Sequence, residues 1–225
     1  MNRMGKLLYV TANPKGIEKS KGLQIGETFI ETFQSNRQDV EITRLDLFKL
    51  EMPVMDAELV SARAKVGGYG IPIDELEESE RIKIMKMHKI AEEFKSFDYY
   101  VFVSPVWNLG SPAVLKAYID NLFVHGKTFA FTPEGPKGYL TGKAGIHIQT
   151  RGGVYTHGPM KELESGDRYL QIALKFLGIN MMDTVVAEGF EHFPQQIPDI
   201  VSKAKEEAIL AAKQMAFSPL DVTTF

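Results

Sequence analysis

Short apolar runs and stretches of helical spacing alternate about five times along this chain, and that alternation most constrains its fold. KLLYVTA (6–12) reads as a buried strand, and Leu23, Phe29, Ile30 and Phe33 follow it at helical intervals. VEITRLDL (40–47) alternates Val40, Ile42 and Leu45 and reads as a second strand. Asp74 followed by Glu77 resembles a capping box. Behind it, Ile82, Met85, Ile90, Ala91 and Phe94 mark one face of a long helix. DYYVFVSP (98–105) is a third strand. Val114, Leu115, Tyr118, Ile119 and Leu122 then give a helical stripe, with Ser111 as its cap and Pro112 in its first position. KAGIHIQT (143–150) is a fourth strand. Tyr169, Leu170, Ala173, Phe176 and Leu177 form a helix stopped by Gly178. MMDTVVAEG (181–189) is a fifth strand, and a last helix covers roughly 198–216.

Continuous apolar strands that alternate with helices imply a parallel sheet covered on both faces. A length of 225 residues suits one domain of this class. Two long connections read as insertions in a single domain spanning 1–225: one near 48–73, the other near 125–142. The second, HGKTFAFTPEGPKGYLTG, has hairpin-like alternation. Met52, Val54, Met55, Phe129 and Phe131 make both more apolar than free loops, so a lid or a dimer contact competes with a solvated insertion.

Composition removes several classes. The chain has no cysteine, so disulfides, thiolate nucleophiles and cysteine-based metal centres are excluded. A net charge of -3 gives no electrostatic footprint for nucleic acid. No apolar run reaches the ~18 residues of a membrane span. MNRMGKLLYVTANP reads as a first strand rather than a signal peptide, and a cytoplasmic location is expected. The five histidines show no metal-ligand spacing. His147, between Ile146 and Ile148, reads as a structural histidine with satisfied partners. His157 is a candidate for the lining of the site, and Glu188 reads either as a hydrogen-bonding group at the core rim or as a substrate contact.

In an open parallel sheet, ligands bind beyond the carboxyl ends of the strands, where the strand order reverses. Three loops belong to that edge. TANPKGIEKSKG follows strand one and opens a helix, whose N–H groups can hold a phosphate. Ser20 in it suits a helix cap as well as a phosphate ligand. PVWNLG follows strand three: Trp107 offers a flat face, Asn108 a donor and an acceptor, Gly110 a close turn. TRGGVYTHG follows strand four and offers a hydroxyl, a cation and bare glycine backbone; a plain glycine turn with a surface arginine reads the same way. Together they suit a mononucleotide with a planar heterocycle.

SPVWNLGSPAVLKAYID, GKTFAFTPEGPKGYLTGKAGIHIQTRGG and VVAEGF resemble the FMN-dependent NADH:quinone oxidoreductase and azoreductase family over nearly the whole chain. The resemblance implies a flavodoxin-like three-layer α/β sandwich with a five-stranded parallel sheet in the order 2-1-3-4-5. It implies a homodimer with tightly bound, non-covalent FMN near the dimer interface. Val106, Trp107, Asn108 and Leu109 would contact the isoalloxazine ring, and Thr150, Arg151, Gly152 and Gly153 would form a second flavin loop. Glu18, Lys19 and Ser20 match the phosphate segment, although the family shows more hydroxyls there. The activity implied is ping-pong, two-electron reduction of quinones and azo compounds by NADH. Flavin N5 carries the hydride, and no side chain acts as catalyst. Glycine-loop N–H groups or Arg151 would stabilise the negative charge of the reduced ring. A flavodoxin-type electron carrier, a flavin-free protein on the same fold and an NADPH-preferring quinone reductase, using FMN or FAD, are the alternatives.

Overall fold

The computed structural model describes residues 4–218; the last residues of the C-terminal tail, 219–225, lie outside them. The order of elements is β1 (Gly5–Thr11), α1 (Lys21–Asn36), β2 (Val40–Asp46), α2 (Ala57–Arg63), α3 (Glu78–Lys95), β3 (Tyr99–Pro105), α4 (Ala113–Leu122), β4 (Phe129–Thr132), β5 (Gly135–Gly138), β6 (Ala144–Thr150), α5 (Gly166–Phe176), β7 (Asn180–Met181), β8 (Val185–Ala187) and α6 (Ile197–Phe217).

The main sheet is parallel and runs β2-β1-β3-β6-β7, with β8 also paired to β6. The parallel sheet is as expected, but its order in the numbering of all strands is 2-1-3-6-7 rather than 2-1-3-4-5, because the expected hairpin β4–β5 forms a separate two-stranded sheet between the third and fourth sheet strands in the chain. The fifth strand is broken into β7 and β8. Side chains of α5 cause the break. Gln171 Nε2 donates to Met182 O at 3.0 Å and to Thr184 Oγ1 at 3.1 Å, and Thr184 Oγ1 donates to Asp167 at 2.6 Å. These polar groups leave the ladder to meet the helix.

Two cores sandwich the sheet. Leu7, Tyr9, Val101, Ile146 and Ile148 face α1 and α6, whose Ile25, Phe29, Phe33, Ala208 and Ala212 are buried against them. Leu8, Tyr100 and Phe102 face the other side, with Phe94 of α3, Tyr118 of α4 and Leu174 of α5. β3 is buried from Tyr99 through Ser104, as a central strand covered on both sides must be. Gly26 lets α1 approach the sheet: a Cβ there would lie 2.3 Å from the Tyr9 hydroxyl and 2.8 Å from Val103.

The 48–73 connection is a packed element. Asp56 caps α2 by accepting from Leu59 N at 3.0 Å, a five-residue π turn (Ala64–Gly68) extends the helix, and Leu59 and Ala62 are buried against Ile84, Met87 and Ala91 of α3. That contact rotates α3 away from its expected face. Ile90, Ala91 and Phe94 are buried as expected, but Ile82 and Met85 are exposed, and Ile84 and Met87 take their place inside. The expected caps differ too. Asp74 sits in a 3₁₀ turn, and α3 starts at Glu78 without a side-chain cap. Pro112 is the cap residue of α4, and the Ser111 hydroxyl is buried without a partner among the described residues. The 125–142 connection contains the expected hairpin, with Phe129 buried and Phe131 exposed.

Candidate functional site

The carboxyl ends of β1, β3 and β6 are neighbours in the sheet. Thr11 pairs with Val103, and Pro105 with Thr150. Beyond β3, Val106 N donates to Thr150 O at 2.8 Å, so the two loops stay joined past the sheet's end. Trp107 and Gly110 then exchange backbone hydrogen bonds, N to O at 2.8 Å and 3.0 Å. The two residues between them, Asn108 (φ 50) and Leu109 (φ 69), are left-handed, as the centre of a primed tight turn requires. Asparagine adopts this region readily, whereas leucine does so at a cost in strain. Ser165, just before α5, holds Leu109 in place: its N and Oγ both donate to Leu109 O at 2.9 Å. The N–H of Val106 is therefore spent on Thr150 across the two loops, and that of Trp107 inside the turn. Those of Asn108 and Leu109 take no backbone acceptor among the described residues. Trp107 is exposed, with Phe48 edge-on to its ring at 6.3 Å between centroids.

Beyond β6, Arg151 O accepts from Gly189 N at 3.1 Å, Gly152 O from Glu191 N at 2.9 Å, and Gly153 O from Gly189 N at 3.0 Å. These carbonyls all point to the turn that follows β8. In a planar trans peptide the N–H points opposite its carbonyl. Since β6 lies between β8 and β3, the N–H groups of Gly152 and Gly153 are turned to the β3 side, where the 106–110 turn stands. They have no acceptor among the described residues.

Arg151 does not aim its cation at that edge. Its side chain is buried: Nε donates to Gln149 Oε1 at 2.6 Å, Nη1 lies 3.3 Å from Glu188 and Nη2 3.8 Å from Glu164. Glu188 also accepts from Tyr155 N at 2.8 Å, from Thr156 N at 3.2 Å and from the Thr156 hydroxyl. Burial pushes the Glu188 carboxyl up, but Thr156, Tyr155 and Arg151 together bring it below the usual glutamate value. Of its two readings, Glu188 is thus a hydrogen-bonding group at the rim. His147 is fully buried between Ser104 Oγ (2.9 Å from Nε2) and Asp167 (2.8 Å from Nδ1), the structural histidine expected. His157 is exposed and touches the Thr156 hydroxyl.

At the β1 loop, Ser20 caps α1. Its Oγ accepts from Leu23 N at 3.2 Å and from Asn13 Nδ2 at 3.0 Å, which leaves its own hydrogen to donate. Glu18 folds its carboxylate back over Gly16, where a Cβ would lie 2.3 Å from Oε1. Thr150 lies under the first turn of α1, 3.2 Å from a Cβ built on Gly22, so this end adjoins the glycine loop. Lys19 is exposed in the same loop.

A family model described as a flavodoxin-like fold matches residues 5–211. An FMN-dependent NADH:quinone oxidoreductase of Staphylococcus haemolyticus is 42% identical over 213 residues, 95% of this chain and 99% of that one. The chain belongs to this flavodoxin-like oxidoreductase family. A second member, an FMN-dependent NADH:quinone oxidoreductase of Geobacillus kaustophilus, is 41% identical over 95% of this chain and 99% of its own. The solved azoreductase of Bacillus anthracis superposes with a TM-score of 0.86 at 35% identity, covering 94% of this chain and all of that one. An FMN-dependent NADH-azoreductase of the same species, solved in complex with FMN, superposes with a TM-score of 0.83 at 29% identity, covering 95% and 100%.

Within this family fold, the structure brings Val106–Leu109 and Thr150–Gly153 together and puts Ser20 at the adjoining helix start. Sequence reasoning missed the residues that brace them. Phe48, Ser165 and Asn13 act across loops and leave no periodic signal. Glu188 was placed at the strand end, but its grip on residues 155 and 156 is visible only in three dimensions. Among the described residues no helix is long and apolar enough to cross a membrane, and no group of three or more acidic or histidine side chains is set to hold a metal ion.

Proposed function

We propose that this protein is an FMN-dependent oxidoreductase that reduces quinones and azo compounds with NADH as electron donor, as the names of its 42% and 35% identical relatives indicate. The observation that carries the reading is the pair of N–H groups at Gly152 and Gly153 that have no acceptor among the described residues and are turned to the 106–110 turn across the sheet's switch point. Such an edge fits the polar rim of a flat heterocycle.

When bound, FMN supplies hydride acceptance and two-electron delivery. The chain's part is to bind and orient it. Asn108, Leu109, Gly152 and Gly153 offer main-chain donors to the ring's edge, while Val106 and Trp107 shape the shelf. Donors fixed before reaction stabilise negative charge without reorganising. Thr150 and Arg151 hold this loop from below. Ser20, with its free hydrogen, and the first N–H groups of α1 would take the phosphate. Lys19 adds a positive charge, and Glu18 stays out of the way only in its folded-back position over Gly16. The open face above the shelf admits nicotinamide and acceptor in turn.

The same reading includes a homodimer, supported by the apolar Val60, Ile82 and Met85 exposed on α2 and α3, and a place in the cytoplasm, where NADH is found. The chain remains one domain with the two insertions near 48–73 and 125–142.

The decisive experiment is an absorption spectrum of the purified protein, followed by NADH without air. Flavin bands that bleach, and return when a quinone is added, are expected. A folded protein that stays colourless and rejects added FMN overturns the proposal. Slow NADH turnover with small quinones by a yellow protein would assign it to the electron carriers instead.

A further inference from the structure

Glu188 stands outside the two segments that meet the ring, yet it ties the second one shut. Its carboxylate takes the N–H groups of Tyr155 and Thr156, the Thr156 hydroxyl and the guanidinium of Arg151. The residues it joins, 151 and 155–156, are the two ends of the turn that contains Gly152 and Gly153. The turn that follows β8 supplies the second half of the clamp, because Gly189 N and Glu191 N hold the carbonyls of residues 151–153. Three carbonyls and two loop ends are thus fixed from the β8 side, and this fixes which way the glycine N–H groups face. The cluster also carries an imbalance. Arg151 is one cation between two carboxylates, Glu164 and Glu188, all three largely buried.

We propose that Glu188 is a positioning residue for the cofactor: acting through Arg151 and the 155–156 backbone, it sets the direction of the Gly152 and Gly153 N–H groups and places surplus negative charge behind them. This rests on the function proposed above. The first half predicts affinity. The second predicts potential, because a negative charge near the reduced, anionic ring disfavours that form.

The test uses full-length apo-protein, titrated with FMN and followed by quenching of flavin fluorescence, together with the midpoint potential of the reloaded protein. Glu188→Ala is expected to weaken FMN binding about tenfold or more, the scale of one charge-assisted hydrogen bond. Glu188→Gln keeps the shape and an acceptor for Tyr155 N. It is expected to return affinity to within about threefold of wild type, which a loss of folding would not allow. It also removes the charge, so its potential shifts positive; a tenfold change in relative affinity for the reduced form is about 30 mV. Both variants matching wild type in affinity and potential, beside a wild type that binds FMN, overturns the inference alone. So does an equal loss of thermal stability in both with affinity and potential unchanged. A wild type that rejects FMN removes the reading beneath it, and the inference with it.

Discussion

Val106 gives its N–H to the carbonyl of Thr150 at 2.8 Å, one residue past the end of the β3–β6 ladder. That bond keeps the 106–110 turn and the glycine loop at strand-to-strand distance after both strands have ended. Val106→Pro removes the donor and leaves the carbonyl unmatched, whereas Val106→Ala keeps it. The proline variant should lose about 2 kcal/mol or more of stability in urea unfolding, the alanine variant less than about 1 kcal/mol. Flavin content on purification should fall in the proline variant only.

Leu109 sits at φ 69, where a side chain strains the backbone. Valine, branched at Cβ, fits this region worse than leucine. Leu109→Val should therefore cost about 1–2 kcal/mol, and Leu109→Gly should stay within about 1 kcal/mol of wild type. Equal unfolding midpoints for the two variants would show that Ser165 does not hold the turn in this hand.

Gly152 faces Glu191, and a Cβ there would come within 2.6 Å of that carboxyl carbon. Glu191 ends in a flexible carboxylate, so the fold should adapt to Gly152→Val. The N–H beside the new side chain should not remain open to a ligand. The expectation is a flavin-to-protein absorbance ratio reduced about tenfold, with far-UV circular dichroism unchanged. Full flavin content in this variant would place the ring elsewhere.

Asp167 connects charge to stability. Burial raises its carboxyl, but the hydrogen bond and charge of His147, with Thr184 and Arg151, outweigh it and hold the group below the ordinary aspartate value of 3.8. A depressed value means that the folded state binds its proton less readily than the unfolded chain. The contribution is fully present above pH 3.8 and is lost as pH falls through the folded value. Asp167→Asn should lower stability at pH 7 by about 1–3 kcal/mol and flatten the loss of stability in acid below pH 3.8. An Asp167→Asn curve parallel to wild type through the acid range would assign the acid sensitivity to other groups.

The layered α/β plan was legible because β1, β3 and β6 are covered on both faces and are mostly apolar, while the buried polar groups of β6, His147 and Gln149, are hydrogen-bonded. The helix faces were read less well where a packing partner came from a distant loop. Ile82 and Met85 fit helical spacing as well as Ile84 and Met87 do; α2, folded from the 48–73 connection, decides between them. The fifth strand looks continuous in sequence because Met181 and Met182 are apolar and Thr184, Val185 and Val186 are β-forming. The break depends on Gln171 and Asp167, which face it from another element. At the candidate site, the expectation that 106–109 and 150–153 share the carboxyl edge of the sheet matches their placement as neighbours beyond β3 and β6. The direction of Arg151 could not be read, since it depends on two glutamates 13 and 37 positions away. Ser20 shows the same limit: a hydroxyl at a helix start suits capping and anion binding equally, and the cap is what the fold displays.

The primed turn at Asn108 and Leu109 carries a consequence for how this protein can drift. A ligand met by peptide groups is indifferent to most of the residues that present them. What selection must preserve there is chirality of the path, so exchanges among asparagine, aspartate and glycine are cheap at residue 108 while the wider alphabet is closed. The exposed ring pair of Trp107 and Phe48 beside the turn is then free to change without altering that path.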